Sequence, residues 1–144
     1  MQSPAKMSPQ SSRKKLVLCI DDHRQGLHAR RLVLEAAGYD VITASIGRIG
    51  LRLLERHPVR VVILDYRMRD MNGDVVAREI RRTHPQVAIL MLSGQIDVPR
   101  RASSAVDAFV AKGQRPAVLL GRLTALAEGG PRKHLSSTSG RASR

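Results

Sequence analysis

Aromatic residues are nearly absent from this chain: it has no Trp, two Tyr and one Phe in 144 residues. Any core must therefore be aliphatic, and the stacking platforms used to hold single-stranded nucleic acid are missing. Cysteine is equally scarce. Cys19 alone cannot make a disulfide or a Cys-based metal framework, and inside an apolar run it reads as a small buried residue. No apolar run is long enough to span a bilayer. The first 15 residues are polar and contain no secretory apolar segment. The expectation is a soluble, cytoplasmic protein with no membrane partner. Acids are also few, 12 against 25 Lys and Arg, for a net charge of +13. That excess is unevenly placed: residues 1–14 carry +3, residues 129–144 carry +4, and residues 15–128 carry +6. Both ends are rich in Ser with Pro or Gly and are expected to be disordered basic tails around one folded domain, 15–128.

Within that domain strand and helix patterns alternate. Apolar runs at about 16–20, 40–44, 60–65, 87–92 and 106–111 read as strands. After Asp22, the polar positions Arg24, His28, Arg31 and Glu35 recur at helical spacing, leaving Leu27, Leu32, Val33 and Ala36 to the other face, with Gly38 as the stop. A second helix is expected at about 46–56. A third, at about 73–83, should bury Val76, Ala77 and Ile80 and expose Asp74 and Arg78. His57-Pro58 and His84-Pro85 close these two helices, since a residue before Pro avoids helical geometry. The connection after Ser93 has room for a two-turn helix. Pro116 opens the last helix, whose Leu119, Leu120, Leu123 and Leu126 share a face. Five apolar strands alternating with helices predict an α/β fold, a parallel sheet covered on both faces.

The polar residues ending the runs carry the chemistry. Asp21 and Asp22 follow the first run, Asp65 ends the third, Ser93 ends the fourth and Lys112 follows the fifth. Ligands of open parallel sheets bind outside the carboxyl ends of the strands. Three carboxylates there form a negative pocket that a hard cation such as Mg2+ would relieve. An Asp carboxylate is also a nucleophile, and an ammonium and a hydroxyl can bind phosphoryl oxygens. The set suits metal-assisted phosphoryl transfer.

In order and separation these residues make the chain resemble the response-regulator receiver domains, the family that includes the chemotaxis receiver. The acidic pair lies in LVLCIDDH, the phosphoacceptor Asp65 in VVILDYRMRDMNG, the hydroxyl Ser93 in AILMLSG and Lys112 in AFVAKG, with Phe109 at the position of the family's switch aromatic. The resemblance covers about 15–128. It implies a flavodoxin-like, doubly wound five-stranded parallel sheet of order 2-1-3-4-5. It further implies Mg2+ on Asp21, Asp22 and Asp65, phosphate contacts from Ser93 and Lys112, and Ser93 and Phe109 as switch residues. The phosphodonor would be a histidine kinase or a histidine phosphotransfer protein. The signal would reach a downstream protein target through repacking around the fourth helix, fifth strand and fifth helix. The expected activity is modification of the protein itself, including loss of its own phosphoryl group, with no separate substrate turned over.

Three departures from the family pattern bear on this. Arg69 stands where Pro is usual and predicts a looser loop after Asp65. Gly113 stands where Pro usually follows the lysine and leaves the shape of that loop open. The segment from Ser93 to Lys112 is short, which shortens the fourth helix. Plainer readings exist: Asp21-Asp22 as a helix cap, Ser93 as a turn residue, Phe109 as ordinary core. An Asp-nucleophile phosphatase would need an acid two residues after Asp65, where Arg67 stands. The expectation is a stand-alone receiver without sequence-specific DNA binding, because no helix-turn-helix follows residue 128. The alternative is a phosphorylation-independent binding module that uses its basic surface.

Overall fold

A computed structural model describes residues 14–94 and 104–132. The expected tails, apart from their innermost residues, and most of the connection expected to hold a short fourth helix lie outside the described residues. Strands β1 (Leu16–Ile20), β2 (Asp40–Ala44), β3 (Val61–Asp65), β4 (Ala88–Ser93) and β5 (Ala108–Ala111) form one sheet of order β2-β1-β3-β4-β5, every neighbouring pair parallel. The described helices are α1 (Arg24–Ala36), α2 (Gly47–Arg56), α3 (Gly73–Thr83) and α4 (Pro116–Gly129), the last being the fifth of the sequence-based count.

Strand side chains alternate between faces, and each face has its own core. Leu18, Ile20, Val62, Leu64, Ile89 and Met91 meet Leu54 of α2 and Val76, Ala77 and Ile80 of α3. Val17, Cys19, Val61, Ile63, Leu90 and Leu92 meet Leu27 and Leu34 of α1 and Leu123, Leu126 and Ala127 of α4. This is the doubly wound architecture expected, and its core is aliphatic. Cys19 is fully buried, and burial pushes its thiol up to about 12, which leaves it unreactive at neutral pH.

Two helix faces differ from the sequence expectation. On α1 the buried residues are Leu27 and Leu34, while Leu32 is 54% exposed. The inward side of this helix also carries Arg30, whose side chain is 14% exposed and whose head reaches Asp21. On α3, Asp74 is buried rather than exposed, paired with Arg78 one turn on. Capping differs as well. The N-cap of α1 is His23, whose Nδ1 accepts from Gly26 N–H at 3.1 Å, so neither Asp21 nor Asp22 fills that role. Ile46 cannot cap α2, and Asp70 does so from the β3–α3 loop, accepting from Gly47 N–H at 3.0 Å and Arg48 N–H at 3.1 Å. Desolvation opposes ionisation of Asp70, but those backbone hydrogen bonds outweigh it and hold the carboxyl low.

Gly73 seats α3 against the end of β3. A Cβ there would lie 2.4 Å from the Asp65 carbonyl oxygen and 2.9 Å from Tyr66 Cα, both backbone atoms with little room to move. Gly73→Ala is expected to destabilise the domain by about 1–3 kcal/mol and to shift the backbone of Asp65. Urea unfolding measures the first effect, and an unchanged midpoint would show that the loop yields freely.

Candidate functional site

The expected site residues are carried to one sheet edge by backbone ladders that continue past the strands. Asp21 N–H donates to the Ala44 carbonyl at 3.1 Å, Tyr66 N–H to that of Leu92 at 3.1 Å, and Lys112 N–H to that of Ser93 at 2.9 Å. Asp21, Asp22, Asp65, Ser93 and Lys112 line one cleft of about 350 Å3 together with His23, Tyr66, Arg67 and Gly94. Phe109 is not among its lining residues. It sits half-buried on β5, opposite Met91, against the core shared with α2 and α3.

The electrostatics of the cleft are built from pairs. Lys112 Nζ lies 2.7 Å from Asp65 Oδ1 and 3.7 Å from Asp21 Oδ2. Gly113 sits at φ +90°, in the left-handed region that favours glycine, and the turn it makes delivers Lys112 to the two carboxylates. Asp21 is almost wholly buried. Its Oδ1 accepts from His23 N–H at 2.9 Å and its Oδ2 from Arg30 at 3.3 Å. Asp22 Oδ2 accepts from Arg69 N–H at 2.9 Å and from its Nε–H at 3.3 Å. The loop after Asp65 is thus tied to Asp22 by the residue expected to loosen it. Neither Arg30 nor the pairing of Arg69 with Asp22 was expected from the sequence. Arg30 lies nine residues from its partner and Arg69 forty-seven, separations that no helix or strand period flags.

Asp65 is 4% exposed. Burial pushes its carboxyl above the ordinary value. The hydrogen bond from Lys112 offsets this only in part, and the charges of Asp21 and Asp22 add to it. One carboxylate oxygen from each of Asp21, Asp22 and Asp65 falls within 4.8 Å of the others. Three hard oxygen donors so close, one with its ionised form disfavoured by burial, fit a small divalent cation.

No helix among the described residues is long and apolar enough to cross a membrane. Residues 17–124 match the response regulator receiver domain family. The transcriptional regulatory protein KdpE of Mycobacterium tuberculosis is 39% identical over 99 residues, 67% of this chain and 44% of that protein. This chain therefore spans about half or less of that relative. Among solved structures, the response regulator TrrA of Thermotoga maritima, in complex with Mg2+ and BeF, superposes with a TM-score of 0.72 at 28% identity, over 78% of this chain and 98% of that one. The chemotaxis response regulator CheY4 of Vibrio cholerae gives 0.74 at 25%, over 79% and 99%. The matched span takes in all of the sheet but Leu16, together with the cleft at its carboxyl edge, and the chain belongs to the response regulator receiver domain family.

Proposed function

We propose that this domain is the phosphoacceptor of a two-component relay, with Asp65 as the acceptor and a histidine kinase or histidine phosphotransfer protein as the donor. The observation that carries this reading is the contact of 2.7 Å between Lys112 Nζ and Asp65 Oδ1, beside the acidic pair Asp21-Asp22. An Asp65 carboxylate oxygen attacks the phosphorus of the donor. The P–N bond to the donor imidazole breaks, the imidazole takes up a proton as it leaves, and an acyl phosphate remains on Asp65. Lys112 then binds a phosphoryl oxygen in place of the carboxylate, and the Ser93 hydroxyl, at the end of the neighbouring strand, binds another. A bound Mg2+ would be held by Asp21, Asp22 and Asp65 and would neutralise charge on the transferring group. Water attacking the acyl phosphate would return Asp65 to its carboxylate and release inorganic phosphate, so that the protein modifies and demodifies itself and turns over no separate substrate.

Ser93 and Phe109 are proposed as the switch. Ser93 ends β4 and Phe109 lies within the adjacent parallel strand β5, with Ser93 opposite Ala111 and Phe109 opposite Met91, so a movement of Ser93 toward phosphate would be felt along β5. Output would pass by contact with a downstream protein. Incubation with acetyl phosphate tests the reading through the intact mass. It predicts a gain of one phosphoryl group that needs Mg2+, with the group mapping to Asp65. No gain with any donor would favour the phosphorylation-independent binding module.

Lys112→Ala is expected to slow phosphorylation by about 100-fold to 1000-fold, the usual consequence of removing one preorganised charge from a phosphoryl site. The rate of mass gain measures it, and an unchanged rate would remove Lys112 from this role.

A further inference from the structure

We infer that Arg69 is a built-in competitor for the divalent cation at Asp22, so that it sets the cation concentration at which the site becomes competent. The inference rests on the reading of Asp21, Asp22 and Asp65 as a Mg2+ site. Each of these carboxylates has a basic partner from this chain: Arg30 for Asp21, Lys112 for Asp65 and Arg69 for Asp22. The three partners differ in how firmly they are held. The Arg30 side chain is 14% exposed and that of Lys112 is 37% exposed, whereas that of Arg69 is 87% exposed. Arg69 is therefore the partner that water can take up at little cost.

Its two donors, the backbone N–H and Nε–H, converge on one oxygen, Asp22 Oδ2. A hard cation needs that lone-pair density for itself. A cation drawn to this oxygen competes with the guanidinium for it, and the apparent affinity falls as the fraction of molecules in which the guanidinium holds Oδ2 rises. The backbone donor exists because residue 69 is not proline, which has no N–H. The side chain and the main chain of one residue thus act on the same atom.

Calorimetric titration of the full chain with Mg2+, at fixed ionic strength, tests this. Arg69→Ala is expected to bind about threefold to fivefold more tightly than wild type, the worth of one exposed ion pair. Arg69→Pro, which also removes the backbone donor, is expected to gain about tenfold. Arg24→Ala is the control for net charge. Arg24 lines the same cleft as Asp22 and Arg69, and among the described residues no hydrogen bond joins it to Asp22. Its loss should raise affinity less than twofold, roughly the effect of one screened surface charge. A gain in Arg69→Ala no larger than in Arg24→Ala, with wild type binding normally, overturns the competition and leaves the metal site standing. If wild type and all variants bind no Mg2+, the metal site itself fails and the competition with it.

Discussion

Asp65→Asn is expected to abolish phosphorylation and, at neutral pH, to make the protein more stable. The first effect follows from chemistry, since an amide oxygen is not a competent nucleophile toward phosphorus and the other two carboxylates of the cleft, Asp21 and Asp22, are engaged by Arg30 and Arg69. The second follows from burial. Desolvation of Asp65 raises its carboxyl above the ordinary value, and Lys112 only partly compensates. The folded state therefore holds this proton more tightly than the unfolded chain does. In the window between the unfolded carboxylate value and the raised folded one, the folded state binds more protons, so stability falls as pH rises through it. Above the window the whole cost is present. Asparagine removes the cost, keeps an oxygen for Lys112 and relieves repulsion from Asp21 and Asp22.

We expect a gain of about 1 kcal/mol at pH 7, or about 3–5 °C in Tm. The gain should shrink as pH falls through the carboxylate range. Added Mg2+ should narrow the difference by stabilising wild type more than the variant. Thermal melts across pH check all three effects. A variant less stable than wild type at pH 7 would mean that the ion pair with Lys112 outweighs burial.

The second large effect is expected at the opposite edge of the sheet. Asp107 precedes β5 with its side chain fully buried. Its Oδ2 accepts from Arg81 at 2.7 Å and from Ile89 N–H at 2.7 Å, and its Oδ1 from Arg132 N–H at 2.7 Å. Arg81, from the last turn of α3, also donates to the carbonyls of Ala105, Pro85 and Val87. Arg132, beyond α4, donates to that of Val106. One carboxylate thus ties together α3, the start of β4, the entry to β5 and the segment leaving α4.

Removing either charged partner strands the other in a low-dielectric site. Arg81→Ala and Asp107→Ala are each expected to cost about 3–5 kcal/mol, a large share of the stability of a domain this size. The paired replacement Arg81→Met with Asp107→Leu should recover part of the loss, because an apolar pair strands no charge. Urea unfolding of both single variants and the pair measures this. A loss below about 1 kcal/mol, the usual worth of an exposed pair, would show that water reaches the network. Acetyl phosphate uptake per folded molecule should be unaffected, since none of these residues lines the cleft.

Continuous apolar runs were enough to locate the strands, and the 3.6-residue period with its Pro and Gly stops the four described helices, to within about two residues, because local pattern dictates local backbone. The strand-end positions of Asp21, Asp22, Asp65, Ser93 and Lys112 followed from the same pattern, since a parallel sheet brings all its carboxyl ends to one edge. What lay beyond local pattern was the destination of each long or charged side chain. On α1, Arg30 turns toward the domain to reach Asp21, while Leu32, on the side away from the buried Leu27 and Leu34, stays in solvent. Asp70 caps a helix whose first residue, Gly47, lies 23 positions before it in the chain, and Arg69 closes on Asp22 rather than loosening its loop. Asp107 finds Arg81 only because α3, β4 and β5 converge at one corner. Hydrophobic periodicity is a property of neighbours along the chain. Ion pairing over a few ångströms is a property of neighbours in space, and these arise only once the strand order and register have brought distant residues together.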